Sequence, residues 1–202
     1  MTAFFKSENI SARFLALLAA VAALFVVTWY ISYSLLPEGI LRGRTASAAL
    51  AGDSAAPNVF LEFLRIFLLN MFMLLVIAAA NRILVIHGFP LGYLPPMILS
   101  VLYAITLGTN SFTIPMAQPM APSLEVLSRS GVYEITAYAL IAVSTDSIGM
   151  YRFIRLFPPD SEPISPAPSL MDNIHWPGMV LAFMVLAAAN LWEAYQILEL
   201  GI

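Results

Sequence analysis

The sequence predicts an all-α fold, a polytopic membrane helix bundle of about five transmembrane helices that forms a single domain over residues 1–202. Three observations predict it: 60% of the residues are apolar, only 10% are charged, and the mean hydropathy is +0.86. Soluble domains carry about 25% charged residues, so this chain has too few charges to cover a water-facing surface. A bilayer is crossed by about 20 apolar residues in a helix. Five such runs are found, at 14–36, 59–86, 89–107, 132–157 and 177–200.

The first apolar run, 14–36, is preceded by the charged flank of Lys6 and Arg13. It is longer than the apolar core of a signal peptide, so we expect it to be retained as the first transmembrane helix. A polar loop rich in alanine, glycine and serine follows over residues 37–58 and separates this helix from the second.

The second run, 59–86, is unusually polar for a transmembrane helix. Its interior amides, Asn70 and Asn81, are eleven residues apart, which is close to three helical turns. Both side chains should therefore point to the same side of the helix. A polar group in lipid normally faces the bundle interior and has a partner there, so this side is predicted to face other helices.

The third run, 89–107, opens with Pro90, Pro95 and Pro96. Proline has no backbone N–H and its ring clashes with the preceding turn, so it interrupts a helix. In a membrane the freed carbonyl groups need other partners. We therefore predict a third helix that is kinked by proline or begins late, between Pro-rich loops. Asn110 follows this helix in a predicted turn.

The fourth run, 132–157, carries Glu134 near its start and Asp146 in its interior. At 100° per residue, Tyr138 and Thr145 fall on the same stripe as Glu134, whereas Asp146 lies beside that stripe. The connection to the next run is rich in proline, which favours an extended, non-helical chain. Its prolines are Pro158, Pro159, Pro163, Pro166 and Pro168.

The fifth run, 177–200, starts at a proline, which suits the first turn of a helix, and it contains Asn190 and Glu193. Five crossings place the two termini on opposite sides of the membrane. Lysine and arginine concentrate on the cytoplasmic side, which predicts a multi-pass protein of the cell membrane with a cytoplasmic N-terminus. The inner segments then hold Lys6, Arg13, Arg82, Arg152 and Arg155, and the outer segments hold Arg42, Arg44 and Arg129.

Composition argues against several classes of function. The net charge of -3 provides no basic surface for nucleic acid. The chain has no cysteine, so it has neither disulfides nor thiolate sites, and no ligand spacing predicts a metal or another cofactor. The two histidines, His87 and His175, lie on the same side of the membrane in this topology. That leaves axial ligation of a tetrapyrrole geometrically open, although interfacial histidines are more often solvated or capping residues.

The polar residues within the membrane are the candidate functional residues, and we call them the polar seam. Three roles are open for them. In the first, hydrogen bonds across helices would fix one packing arrangement. In the second, a transport or conduction pathway would use the three acidic side chains. In the third, two carboxyls would catalyse acid–base chemistry, although no nucleophile motif accompanies them. The polar seam comprises Asn70, Asn81, Asn110, Glu134, Asp146, Asn190 and Glu193.

Four short motifs that contain these residues follow one another along the chain. They are Phe67-Leu68-Leu69-Asn70, Gly108-Thr109-Asn110, Gly131-Val132-Tyr133-Glu134 and Ala187-Ala188-Ala189-Asn190-Leu191-Trp192-Glu193-Ala194. Together they resemble the stage II sporulation protein M family of integral membrane proteins, over about residues 59–202. Two positions depart from that family: Leu69 stands where the family has a second asparagine, and Ser130 stands where it has a histidine.

The resemblance implies a membrane-embedded scaffold or partner subunit without established catalysis. The sporulation member belongs to the engulfment machinery and recruits peptidoglycan-degrading partners. We therefore expect a non-enzymatic scaffold or accessory subunit of the lipid bilayer that docks other membrane proteins, and a homo-oligomer is compatible with this role. The alternatives are a small transporter or channel subunit that uses Glu134, Asp146 and Glu193, and an accessory subunit of a pigment or redox membrane complex.

Overall fold

A computed structural model of the chain describes residues 7, 9–44, 55–112, 116–155 and 159–200. It confirms the predicted all-α bundle of membrane type and adds a small four-stranded sheet. Some predicted features lie outside the described residues, namely Lys6, residues 45–54 of the first loop, residues 156–157 of the fourth run, and Pro158.

Five helices of more than ten residues make up the bundle in the described part of the chain. Four helical segments are long and apolar enough to cross a membrane, and the fourth helix along the chain is shorter. The helices are α1 Ile10–Leu35, α2 Val59–Ile83, α3 Leu94–Gly108, α4 Gly131–Ser144 and α5 Trp176–Tyr195, the last continued by a π-helical turn at Gln196–Leu200.

The predicted extent of the fourth helix, 132–157, is wrong. The helix ends at Ser144, and the chain continues through a 3-10 turn at Asp146–Ile148 into strand β3, Tyr151–Arg155. Two physical reasons account for the change. The short polar side chains of Asp146 and Ser147, which bond to each other, favour a turn over a helix interior. The aromatic and β-branched residues of β3 suit a strand that has a partner.

The second helix also ends earlier than predicted, because residues 84–86 of the run 59–86 form strand β1 rather than helix. The small sheet has the order β2-β1-β3-β4, with β1 parallel to β3 and the other two pairs antiparallel. Strand β2 is Phe89–Pro90, and strand β4 is Asp160–Pro163, which agrees with the extended conformation predicted for the Pro-rich connection.

The third helix begins late, which was one of the two predicted outcomes for the run 89–107. A 3-10 turn at Leu91–Tyr93 leads into α3, and Pro95 and Pro96 occupy the first turn of that helix. Backbone N–H groups in the first turn have no partner within a helix, so proline costs little there. The prolines therefore set the start of α3.

The five helices alternate in direction. Contacts at the two ends of the bundle show this, since they join the termini of neighbouring helices. We call the end that carries the four strands the sheet end and the other the loop end. At the sheet end, the backbone N–H of His175 donates to the carbonyl of Ser144 (2.9 Å). At the loop end, Trp192 Nε1 donates to the carbonyl of Ser128 (3.0 Å).

Helix α4 lies at the centre of the bundle and contacts the other four helices. Nine of its 14 residues are buried, more than in any of the others, although it is the shortest of the five. A helix of this length is about 21 Å long, less than the hydrocarbon thickness of a bilayer. Other parts of the chain cover most of α4, so its polar side chains find partners on other helices.

Candidate functional site

The residues of the polar seam separate into four groups at different places in the bundle. One group contains Asn70, Glu134, Asn190 and Glu193, and we call it the carboxyl–amide cluster. The other three groups are centred on Asn81, Asp146 and Asn110 and have different partners. The single continuous seam that the sequence suggested is therefore several separate polar contacts.

The carboxyl–amide cluster joins helices α2, α4 and α5. Asn70 Nδ2 donates to Glu134 Oε1 (3.0 Å) and to Asn190 Oδ1 (2.9 Å). The hydroxyl of Tyr138, one helical turn after Glu134, donates to Asn70 Oδ1 (2.6 Å). Because residues four apart lie on the same helical face, α4 presents both side chains to the one amide of α2.

The two carboxyl groups of the cluster contact each other within hydrogen-bonding reach, Glu134 on α4 and Glu193 on α5. Glu193 also contacts the side chain of Ser130. Within the described ranges, neither carboxyl forms a salt bridge. Two buried atoms here have no hydrogen-bond partner, Asn190 Nδ2 and Glu193 Oε2.

Asn81 is fully buried and connects three parts of the chain at the sheet end. Its Nδ2 donates to the carbonyl of Ala142 (2.7 Å) and to Thr145 Oγ1 (2.8 Å), at the end of α4. Its Oδ1 accepts from the backbone N–H of Gly92 (2.8 Å), just before α3. Asn70 and Asn81 thus both face α4, in agreement with their predicted orientation.

Asp146 lies at the sheet end, on the turn that follows α4. Arg13 Nε lies 2.8 Å from Asp146 Oδ2, and the hydroxyl of Tyr93 donates to the same oxygen (2.6 Å). Burial raises the pKa of Asp146, while the contacts with Tyr93, Arg13 and Ser147 lower it in part. Twelve residues separate Asp146 from Glu134, about 18 Å along a helix axis, so the three acids of the predicted pathway are not brought together.

Asn110 occupies a turn at the loop end and has a structural environment. Its backbone is left-handed, with φ of 49°, a conformation in which asparagine is enriched. The side chain donates to Glu38 Oε1 (2.9 Å) and to the carbonyl of Met116 (2.8 Å), and it accepts from the N–H of Met116 (2.8 Å). These bonds join the two loops of this end.

The two histidines are exposed and make different contacts. His87 lies in the turn between β1 and β2, with its ring edge-on to Phe153 at a centroid distance of 5.9 Å. His175 caps α5, where its Nδ1 accepts from the N–H of Gly178 (3.0 Å). Within the described residues, no group of three or more His, Cys, Asp or Glu side chains is placed to hold a metal ion.

Three side chains belong to these groups although they were not predicted as members of the polar seam. Tyr93 and Arg13 contact Asp146, and Ser130 contacts Glu193. Arg13 has the sequence position of a membrane flank, at the start of an apolar run, and its partner lies far away in the sequence. Only the three-dimensional packing brings such residues together.

Among the open depressions on the surface of the described residues are two that the polar seam does not line. One, of about 570 Å³, lies between the start of α2 and the end of α5, where Pro57 and Leu198 line it. The other, of about 540 Å³, lies beside the sheet, where Ile83 and Tyr151 line it.

Comparisons with protein-family models, with curated proteins and with solved structures found no match to this chain.

Proposed function

We propose that the protein is a non-enzymatic membrane scaffold or accessory subunit that docks other membrane proteins. The observation that carries this proposal is the use of the interior polar side chains: Asn70 and Asn81 bond α2 to α4, and Asn70 also bonds α2 to α5. Hydrogen bonds between membrane helices contribute about 0.6–2 kcal/mol each and specify one packing arrangement. A fixed bundle of this kind suits a protein that presents a defined surface to partners.

The resemblance to the stage II sporulation protein M family supports the same role. Three residues that carry the resemblance, Asn70, Glu134 and Glu193, come from three helices and meet in the carboxyl–amide cluster. Ser130, which stands where that family has histidine, contacts this cluster through Glu193. We infer that the shared residues serve the packing of these helices rather than a reaction.

A transport role would favour a different arrangement. It requires Glu134, Asp146 and Glu193 to line one path, whereas Asp146 is held by Arg13 and Tyr93 at the sheet end. The geometry of the acids therefore favours the scaffold over the transporter. A proteoliposome flux that Glu134→Gln abolishes would reverse this preference.

The docking proposal predicts position-dependent crosslinking from the outer surface of α2. Leu68 and Phe72 are each 65% exposed in the isolated chain, and Leu186 on α5 is completely buried. A photoreactive amino acid at position 68 or 72, with irradiation in the native membrane, is expected to capture one defined membrane protein. The same probe at position 186 is the control and should react only within the chain. Gel analysis and mass spectrometry identify the adducts.

Co-purification provides the quantitative check on that capture. The captured protein should accompany the untagged chain at a constant ratio in two mild detergents. If positions 68 and 72 yield only lipid adducts and the chain purifies alone as a monomer, the scaffold proposal is wrong.

We also propose that the sheet end faces the cytoplasm of a cell membrane, as the distribution of arginine favours. The chain has no cysteine, so single cysteines report accessibility without a background. Ser161 on β4 and Ser123 near the loop end are both exposed. In intact cells, Ser123→Cys should react with a membrane-impermeant maleimide, and Ser161→Cys should react only after permeabilisation. The reverse pattern would invert the topology.

A further inference from the structure

The carboxyl pair of Glu134 and Glu193 has a chemical property that helix packing alone does not require. We propose that these two side chains form a proton-binding site, in which the contacting carboxyl groups hold one proton between them. This inference concerns the ionisation of the cluster and does not depend on the docking of partners.

The contact between the two carboxyl groups itself requires a proton. An ionised carboxylate only accepts hydrogen bonds, and a protonated carboxyl supplies one O–H donor. Two carboxylates that share a site cannot both be ionised without strong repulsion, so one of them keeps its proton. The proposed site is therefore a pair with a single negative charge and one shared proton, held between α4 and α5.

The surroundings of the pair supply neutral hydrogen-bond donors. Asn70 Nδ2 donates to Glu134, and the side chain of Ser130 contacts Glu193. No arginine or lysine forms a salt bridge with either carboxyl in the part of the chain that the structure describes. A proton is then the cation that offsets the second negative charge.

The titratable and charged groups that face the pair come from four parts of the structure. The charge of Glu62 on α2 repels that of Glu193, but Glu62 is itself paired with Arg65. The phenols near the pair are those of Tyr103 on α3 and Tyr138 on α4, and Arg129, just before α4, lies near Tyr103. We assign the proton to the Glu134–Glu193 pair because the other acid nearby, Glu62, already has a cationic partner.

A second observation points to the same site. Asn190 is completely buried, its Oδ1 accepts from Asn70, and its Nδ2 has no hydrogen-bond partner. Glu193 Oε2, three residues further along α5, is a buried acceptor without a donor. Residues three apart lie on the same helical face, so an unused donor and an unused acceptor adjoin the pair. They allow its hydrogen bonds to rearrange when the proton leaves.

Release of the proton would weaken the packing of α4 against α5. Two negative charges would then face each other at the loop end, between two helices that contact extensively. In that region, Trp192 Nε1 and Gln196 Nε2 both donate to the carbonyl of Ser128, each at 3.0 Å. Occupancy of the site by a proton would thus set how firmly the end of α5 is held.

The first test is the pH dependence of stability in detergent or nanodiscs. Where the folded state holds one proton more than the unfolded state, the folding equilibrium constant falls about tenfold per pH unit as the pH rises. We expect this slope in the difference between the wild type and the double variant E134Q/E193Q, at pH values above the ordinary glutamate pKa of about 4.3. Asp146 titrates in both proteins, so its effect cancels. Glu125 is exposed, and E125Q should keep the wild-type slope. Parallel curves for the wild type and the double variant would overturn the proposal.

The second test detects the shared proton directly by infrared spectroscopy. The wild type at neutral pH should show the band of a protonated carboxyl group, which shifts in D2O and disappears on alkalinisation. Both E134Q and E193Q should lack it, because the introduced amide donates to the remaining carboxylate. Absence of the band from the wild type, or its loss in only one variant, would contradict a shared proton. Absence of the band from the wild type overturns the proposal even if a variant fails to fold.

Discussion

Replacement of Asn81 by leucine is expected to lower the free energy of unfolding by about 3 kcal/mol. The amide makes three hydrogen bonds in a fully buried site, to Ala142, Thr145 and Gly92. Leucine has a similar size but satisfies none of them. Each buried group that loses its partner costs about 1–3 kcal/mol, and Gly92 is itself buried.

Reversible unfolding of the purified protein in mixed micelles measures this change. Asn173→Leu is the matched control, since Asn173 is exposed and bonds only to the carbonyl of Ser169. Its effect should remain below about 0.5 kcal/mol. Gly92→Ala disrupts the same contact from the other side, because an added Cβ would collide with the side chain of Asn81. If Asn81→Leu is as stable as Asn173→Leu, the hydrogen bonds do not hold the sheet end together.

The parts of the fold that depend on local sequence could be predicted. Apolar runs located α1, α2 and α5 to within a few residues, and the prolines located the start of α3. The eleven-residue spacing of Asn70 and Asn81 placed both amides against α4. In each case the determining interaction lies within one or a few helical turns, so a single stretch of sequence contains it.

The sheet could not be predicted in this way, because its central pairing is not local. Strand β1 is three residues long, and it pairs in parallel with β3, with Leu84 opposite Tyr151. Each strand reads as the continuation of an apolar helix until its partner is known. The same pairing explains why the end of α4 was misplaced.

The candidate site was predicted as a set of residues and not as an arrangement. Membrane energetics identifies Glu134, Asp146 and Glu193 as side chains that need partners, but it does not say which partners. Helix packing joins Glu134 to Glu193 and leaves Asp146 at the other end with Arg13. Such choices depend on helix order and on vertical register, which hydropathy does not encode.

Arg13→Gln is expected to destabilise the protein by about 2 kcal/mol at pH 8, and by clearly less at pH 5. The guanidinium is largely buried against Asp146, and removal of one partner from a buried ion pair typically costs several kcal/mol. Burial already raises the pKa of Asp146, and the loss of Arg13 raises that pKa further. The free acid has an ordinary pKa of about 3.9 in the unfolded chain. The Arg13→Gln variant therefore keeps its stability at low pH. Its free energy of unfolding falls as the pH rises through the raised pKa of Asp146 in the folded variant.

Two further variants at the sheet end separate this effect from a general loss of charge. Arg152→Gln removes an arginine that is 60% exposed and lies 3.6 Å from Glu162, so it should change stability by less than about 0.5 kcal/mol at either pH. Asp146→Asn added to Arg13→Gln removes the titrating group, and the difference between pH 5 and pH 8 should return toward zero after subtraction of the curve of the Asp146→Asn single variant. A pH-independent loss in Arg13→Gln would instead mean that the arginine acts through its contacts with the backbone, such as its bond to the carbonyl of Ser7. The double variant distinguishes these cases because only an ionic role makes the two substitutions non-additive in a pH-dependent way.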